Sequence, residues 1–360
     1  MPPMHIEERK DFPNPIEFYD NYVAPGKPVL FKGAAKQFPS YNNWKNDTYL
    51  REKYGGLTVM AETAKKEDRN NPVKPMNFST FLSIYEEEDI YLVQDVAPPR
   101  PITEEMFVPK SLLCRGFMDF LNMALLWFSS GGTKSVLHND SFENINCLFD
   151  GTKELIMIDR KHKELVPIDH LERGYSFVDV ERVDMYKYPT LSKLPWYIAN
   201  MDTGDCLYIP RNWYHHVKSS LTRNLAINLW WLFRSELKHR DECEKSLADL
   251  PEFDCLNKFR IKSGVKIEHV IFDKVFEESN STTSTNLLKS VIPLLSSDMT
   301  RDDRIEYLTK LKRYFTEADT NEDSLLTREE VEASSVEILL PFLKKGAEKE
   351  LINEYQKDEL

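Results

Sequence analysis

The chain lacks any apolar run long enough to cross a membrane. The nearest candidate, residues 117–128, is interrupted by Asp119 and Asn122 and reads as a buried helix end running into a strand. Basic charge is in deficit. A formal net charge of −12 argues against non-specific nucleic-acid binding, which needs a basic patch, and suits a soluble protein or a basic partner. There is no apolar leader in Met1-Pro2-Pro3-Met4-His5-Ile6-Glu7, and no long internal repeat. Cysteine is scarce, with no zinc-type cluster of the chromatin-reading kind: Cys114, Cys147, Cys206, Cys243 and Cys255 leave at least one thiol unpaired if bridges are intramolecular. Cys243 and Cys255 flank a short acidic stretch and are the best local disulfide pair. Cys147 and Cys206 fall in expected core strands and read as packing residues.

What is present suffices for folding. Hydrophobic residues make up 41% and aromatics 12% of 360 residues, enough for about two domains with real cores and against disorder. The first hundred residues alternate short apolar segments with Pro and Asn clusters: a strand at 28–33, a helix at 78–87 after Asn77, a strand at 89–95. The middle is β-rich, with strands expected at 125–128, 135–138, 145–149, 153–158, 204–209 and 225–231. Asp150-Gly151 is a hairpin signal between two of them. Residues 160–195 form a long polar connector, expected to cover one mouth of a barrel. After Trp231 the pattern turns helical, at 235–250 and 265–276. A Ser/Thr-rich surface loop follows at 279–285, then more helix. This divides the chain into residues 1–234, 235–290, 291–345 and a tail at 346–360.

The tail ends in Lys357-Asp358-Glu359-Leu360, the address read by the retrieval receptor of the endoplasmic reticulum lumen. A lumenal chain needs a signal peptide, so we expect one to have been removed or to precede Met1. Of the sequons at Asn46, Asn77, Asn139 and Asn280, Asn280 is the expected glycan site, and Asn139 is expected to be inaccessible within a metal motif.

That motif is Ser135-Val136-Leu137-His138-Asn139-Asp140-Ser141. On a strand, residues i and i+2 share a face, so His138 and Asp140 can aim an imidazole and a carboxylate at one point. A second histidine is offered by Gly204-Asp205-Cys206-Leu207-Tyr208-Ile209-Pro210-Arg211-Asn212-Trp213-Tyr214-His215-His216-Val217. Two histidines and one carboxylate leave three coordination positions open, the arrangement of non-haem Fe(II) oxygenases.

These segments, with Asn228-Leu229-Trp230, resemble the JmjC family of Fe(II)/2-oxoglutarate-dependent oxygenases, most closely its small protein hydroxylases of the asparaginyl and lysyl kinds. The resemblance runs from about Tyr91 to Trp231. It implies a mainly β fold, a double-stranded β-helix of the cupin jelly-roll type, with helical additions. It also chooses His215 over His216 as the third ligand. It implies that Lys153, fifteen residues after His138, pairs with the distal carboxylate of 2-oxoglutarate, helped by Ser135 and Tyr91, and that Asn144 and Asn228 line the pocket. The implied reaction is hydroxylation of a protein or peptide side chain, with the segment 235–276 as the candidate dimer contact. A catalytically inert adaptor on the same scaffold is the alternative. A histone demethylase and a transfer-RNA hydroxylase are less favoured, the latter because of the acidic charge.

A second metal motif follows. Asp319, Asn321 and Asp323 occupy positions 1, 3 and 5 of a calcium-binding EF-hand loop, Leu325 offers the position-7 carbonyl, Thr327 stands at position 9, and Glu330 is the bidentate twelfth residue. Leu308, Leu311 and Phe315 suggest an entering helix. Ser324 replaces the usual position-6 Gly, which strains the turn. The stretch 298–309 fails as a second hand, since its twelfth residue is Thr309.

Overall fold

The structure is a computed structural model describing residues 3–65, 73–96, 100–168, 175–259, 281–291, 301–319, 321, 323–327 and 330. The chain divides into two compact units near residues 263 and 264. Asn280, the 265–276 helix, most of the exiting helix after Arg328 and the Lys357-Asp358-Glu359-Leu360 tail lie outside the described residues.

The first unit is built on two β-sheets. One has nine strands in the order Glu7–Arg9, Val29–Phe31, Cys206–Ile209, Glu143–Asp150, Asn224–Trp231, Leu121–Ser129, Tyr91–Asp95, Thr58–Glu62 and Lys74–Asn77. The other has six: Met4–His5, Tyr197–Met201, Lys153–Ile158, Tyr214–Ser219, Leu137–His138 and Tyr175–Ser176. Strand alternation explains how they stack. On the Glu143–Asp150 strand, Ile145, Cys147 and Phe149 face a core formed with the N-terminal helices. Leu148 faces the other way and packs with Leu155, Met157, Ala199 and Met201 of the six-stranded sheet. The two sheets therefore enclose an inner core. A third cluster, Ile158, Val166, Val178, Leu191, Leu194 and Tyr214, seats the 160–195 connector on the outer side of the smaller sheet. Burial on both faces matches the continuous apolar or amide runs Asn144–Phe149 and Asn224–Trp231, which do not alternate.

The expected strands are present, some with longer bounds and some shorter, and others appear that the sequence pattern does not mark. Tyr197–Met201 lies just past the connector, and Tyr214–Ser219 carries the second histidine segment. Residues 117–128 do run from a short helix, Arg115–Met118, into the strand Leu121–Ser129. Asn139 is half-buried rather than inaccessible.

The disulfides differ from expectation. Cys243 pairs with Cys114, because the helix Arg240–Ser246 packs on the segment that starts Arg115–Met118. Cys147 pairs with Cys206, its directly opposed neighbour on the adjacent strand, so these two are not mere packing residues. Cys255, on a strand paired with Phe107–Pro109, is the free thiol. Loop closure over separations of 129 and 59 residues gives each bridge about 2–5 kcal/mol.

In the second unit the helices Ser284–Val291 and Arg301–Ala318 pack on each other, burying Leu287, Leu311, Tyr314 and Ala318. Leu308, expected on the buried face, is exposed, and Tyr314 takes that role. Ser281–Thr282 was expected to be loop. It is a strand, paired antiparallel with Leu326–Thr327 of the acidic loop. The surface that supports this loop is thus the Ser/Thr stretch, with Thr282 opposite Leu326.

Candidate active site

His138, Asp140 and His215 converge. Their ligand atoms lie within 4.8 Å of one another, the one such cluster of three or more His, Cys, Asp or Glu among the described residues. Asp140 Oδ1 is 3.8 Å from His138 Nε2, and Asp140 Oδ2 is 3.3 Å from His215 Nε2. All three are buried. Two directly opposed residues of adjacent strands, His138 and His215, supply the imidazoles. The route to Asp140 is different from simple alternation. The strand ends at His138, and Asp140 lies two residues beyond it, just before the bend at Ser141 and Phe142, where its carbonyl accepts from the Asn212 N–H at 2.6 Å.

Each imidazole is held from behind. His138 Nδ1 lies 2.9 Å from the Val136 carbonyl and His215 Nδ1 lies 2.9 Å from the Trp213 carbonyl. A carbonyl can only accept, so both rings carry the proton on Nδ1 and turn the Nε2 lone pair toward Asp140 and the space between them. Tyr175 stacks flat on His138, 5.7 Å between centroids at 6°. His216 points to the other face, as its parity requires. Its Nδ1 donates to the Ser135 carbonyl, and burial lowers its pKa.

Lys153 opens its strand on the inner face, like Leu155 and Met157, and Met157 lies opposite His215. Four residues of strand, about 13 Å, separate the two levels. Lys153 is 8% exposed and has no hydrogen-bond or ion-pair partner among the described residues. Burial alone pushes its ammonium down to about 8. Asn228 donates to Asn144 and accepts from Asn146, a buried amide ladder on the facing sheet. Tyr91 stacks against Trp127. The Ser135 hydroxyl accepts from the Val217 N–H at 2.8 Å, which leaves its own proton to donate. Trp230 and Trp231 are core residues.

A profile for the cupin-like domain matches residues 15–236. The chain belongs to this cupin-like family. It is 27% identical over 236 residues to the "Lysine-specific demethylase JMJ30" of Arabidopsis thaliana, covering 61% of this chain and 53% of the relative. It is 22% identical over 270 residues to the human "Bifunctional peptidase and (3S)-lysyl hydroxylase JMJD7", covering 63% and 84%. It is 32% identical over 233 residues to the "tRNA wybutosine-synthesizing protein 5" of Gallus gallus, covering 57% and 70%. The chain spans about half the length of the demethylase-named relatives it matches. The cupin-like JmjC domain and its mainly β architecture are therefore established for this chain.

In the second unit, the acidic loop is folded over its own amides. Asp319 accepts from the N–H groups of Asp323 and Ser324, Asn321 from Asp323, Asp323 from Leu325, and Glu330 from Asn321 and Thr327. Ser324 has φ +64°, the left-handed conformation for which position 6 favours Gly.

Sequence reasoning missed two residues at the active site. Tyr175 had no signal beyond being an aromatic in a polar connector. Asn212 had one: Asn tolerates the left-handed region, and its φ is +61° in the turn ahead of His215.

Proposed function

We propose that the chain is an Fe(II)- and 2-oxoglutarate-dependent oxygenase that hydroxylates a side chain of a protein or peptide in the endoplasmic reticulum lumen. The observation that carries this reading is Lys153: a cation buried without a partner inside the barrel, one strand-length from a His/Asp/His cluster. An unpaired buried charge is expensive, and a dicarboxylate relieves it. His138, Asp140 and His215 would hold the iron. This donor set suits ferrous iron, and the Nδ1 contacts already orient both imidazoles for it. Lys153, Tyr91 and Ser135 would receive the far carboxylate, with Asn144 and Asn228 beside it. With dioxygen, the bound pair supplies the oxidant that hydroxylates a C–H bond while 2-oxoglutarate becomes succinate and carbon dioxide. The protein's part is to hold both imidazoles in one tautomer and to present Lys153 and the Asn144 and Asn228 amides to the co-substrate.

The lumenal placement rests on the Lys357-Asp358-Glu359-Leu360 motif, supported by two disulfides in a chain of five cysteines. We also read the Asp319–Glu330 loop as a calcium site, with Asp319, Asn321, Asp323, the Leu325 carbonyl and Glu330 as ligands. Its left-handed Ser324 and the strand pairing at Leu326 support that reading.

Succinate release from the purified chain with iron and 2-oxoglutarate, with and without secretory-pathway extract, tests the activity. Release that depends on the extract, with oxygen added to protein side chains, supports the reading; no release under any condition sinks it. The similarity to the wybutosine-synthesizing protein favours one second reading, a transfer-RNA substrate. The −12 charge weighs against it, and added oxygen on nucleosides instead of peptides would establish it.

A further inference from the structure

The three metal ligands come from two segments, and the pairing between these segments stops at His138: His138 stands opposite His215, the Ser135 N–H donates to the Val217 carbonyl and the Ser219 N–H to the Thr133 carbonyl. Asp140 lies past the end of the strand Leu137–His138, beyond the reach of that pairing. A second ladder runs alongside. The strand Glu143–Asp150 begins three residues after Asp140, and Cys206–Ile209 ends six residues before His215. These two strands pair from Asn144 opposite Ile209, at the metal end, to Cys147 opposite Cys206, at the far end. The far end is closed by the disulfide. The near end is closed by the Asn212 N–H on the Asp140 carbonyl, which the left-handed turn at Asn212 makes reachable.

We propose that the Cys147–Cys206 disulfide and Asn212 form a two-ended clamp that positions Asp140 against His215, so that the bridge sets metal affinity and not stability alone. The clamp rests on the reading of this cluster as a metal site. The sulfurs do not touch the metal ligands. They lie on the face of the sheet that carries Ile145 and Phe149, opposite to the face of Asn144 and Leu148. Their effect is on register. A slip of one residue would move Asp140 by about 3.3 Å relative to His215 and turn Asn144 out of the pocket. A covalent link between directly opposed residues forbids that slip. The other bridge, Cys114–Cys243, joins two short helical segments and neither carries a ligand. The molecule thus contains its own control.

The test is a cobalt(II) titration of the metal-free full chain, read by the visible absorption of the bound ion. The double variant Cys147→Ala/Cys206→Ala is expected to bind cobalt 10- to 100-fold more weakly than the wild type, the range seen when supporting contacts of a metal site are lost. Cys114→Ala/Cys243→Ala is expected to melt earlier yet bind within about 2-fold of wild type, since its bridge constrains the unfolded chain and not the ligands. Equal cobalt affinity in the two double variants, whether retained or lost, overturns the clamp. If the barrel variant does not fold, the near end decides: Asn212→Gly should bind like the wild type, and Asn212→Val, which cannot hold the left-handed turn without strain, at least 10-fold more weakly. Equal binding by these two overturns it as well. A wild-type chain that takes up no cobalt in the barrel refutes the metal site itself, a separate failure.

Discussion

The chain carries two candidate metal sites made in opposite ways. In the barrel, His138 and His215 stand on opposed strands, their rings fixed by backbone carbonyls, and Lys153 waits buried without a counterion. In the second unit the ligands sit on one continuous loop, and each carboxylate accepts from the loop's own amides. The first site is prepared by the fold and holds unrelieved charge. The second is prepared by its local sequence and is already partly satisfied. A prepared sheet site should fail abruptly when one ligand goes, whereas a loop site should weaken by degrees.

The largest effect tests the sheet site. Replacing His138 or Asp140 by Ala should lower 2-oxoglutarate turnover by more than ~100-fold, beyond the loss typical of supporting residues, as read by succinate formation. Activity within tenfold of wild type would mean the cluster is not the centre. Next comes Lys153→Met. Loss of a charge-assisted contact of about 1.5–3 kcal/mol should weaken 2-oxoglutarate binding about 10- to 100-fold, while the co-substrate-free protein melts no lower than the wild type, because a buried unpaired cation has been removed. A lower melting temperature would show that Lys153 already has a partner.

The same residue gives a pH dependence with a definite sign. Its folded pKa is depressed to about 8 from an ordinary value of 10.5. Between those values the unfolded chain holds more protons, so this group makes the co-substrate-free protein more stable as pH rises through 8 to 10.5. Binding a dianion needs the proton, so 2-oxoglutarate affinity should fall over the same window. Calorimetric titrations at pH 7 and 9.5 measure it, and an affinity that rises with pH excludes Lys153 as the anchor.

The loop site should give smaller effects. Glu330→Gln should abolish the rise in melting temperature of the second unit on adding calcium. Ser324→Gly should strengthen calcium binding by roughly 1 kcal/mol, about 5-fold, by removing the strain at φ +64°. No calcium-dependent shift in the wild-type chain would remove the loop from the comparison.

Legibility in the sequence followed the same division. Most inner strands could be read because they are nearly continuous runs of β-formers with Asp150-Gly151 between two of them. His138 and Asp140 could be proposed from spacing alone, although the local reason is incomplete: the strand stops at His138, and Asp140 lies beyond its end with its carbonyl bonded to the Asn212 N–H. Choosing His215 over His216 needed the family resemblance. Both disulfides were missed because they depend on which strands and helices become neighbours across 59 and 129 residues, information no local window holds. Ser281–Thr282 reads as loop in the sequence because Ser and Thr cluster in turns, yet Thr also suits a strand, and pairing with Leu326 decides between them.

The central claim is one ferrous ion between residues 138, 140 and 215, with the keto acid's far carboxylate on Lys153. Anomalous diffraction from crystals grown with manganese(II) and 2-oxoglutarate without oxygen tests it directly. The account predicts a single barrel peak coordinated by His138 Nε2, Asp140 and His215 Nε2, and a carboxylate at hydrogen-bond distance from Lys153 Nζ. A peak elsewhere in the barrel, or a keto acid bound with Lys153 still unpaired, would contradict it.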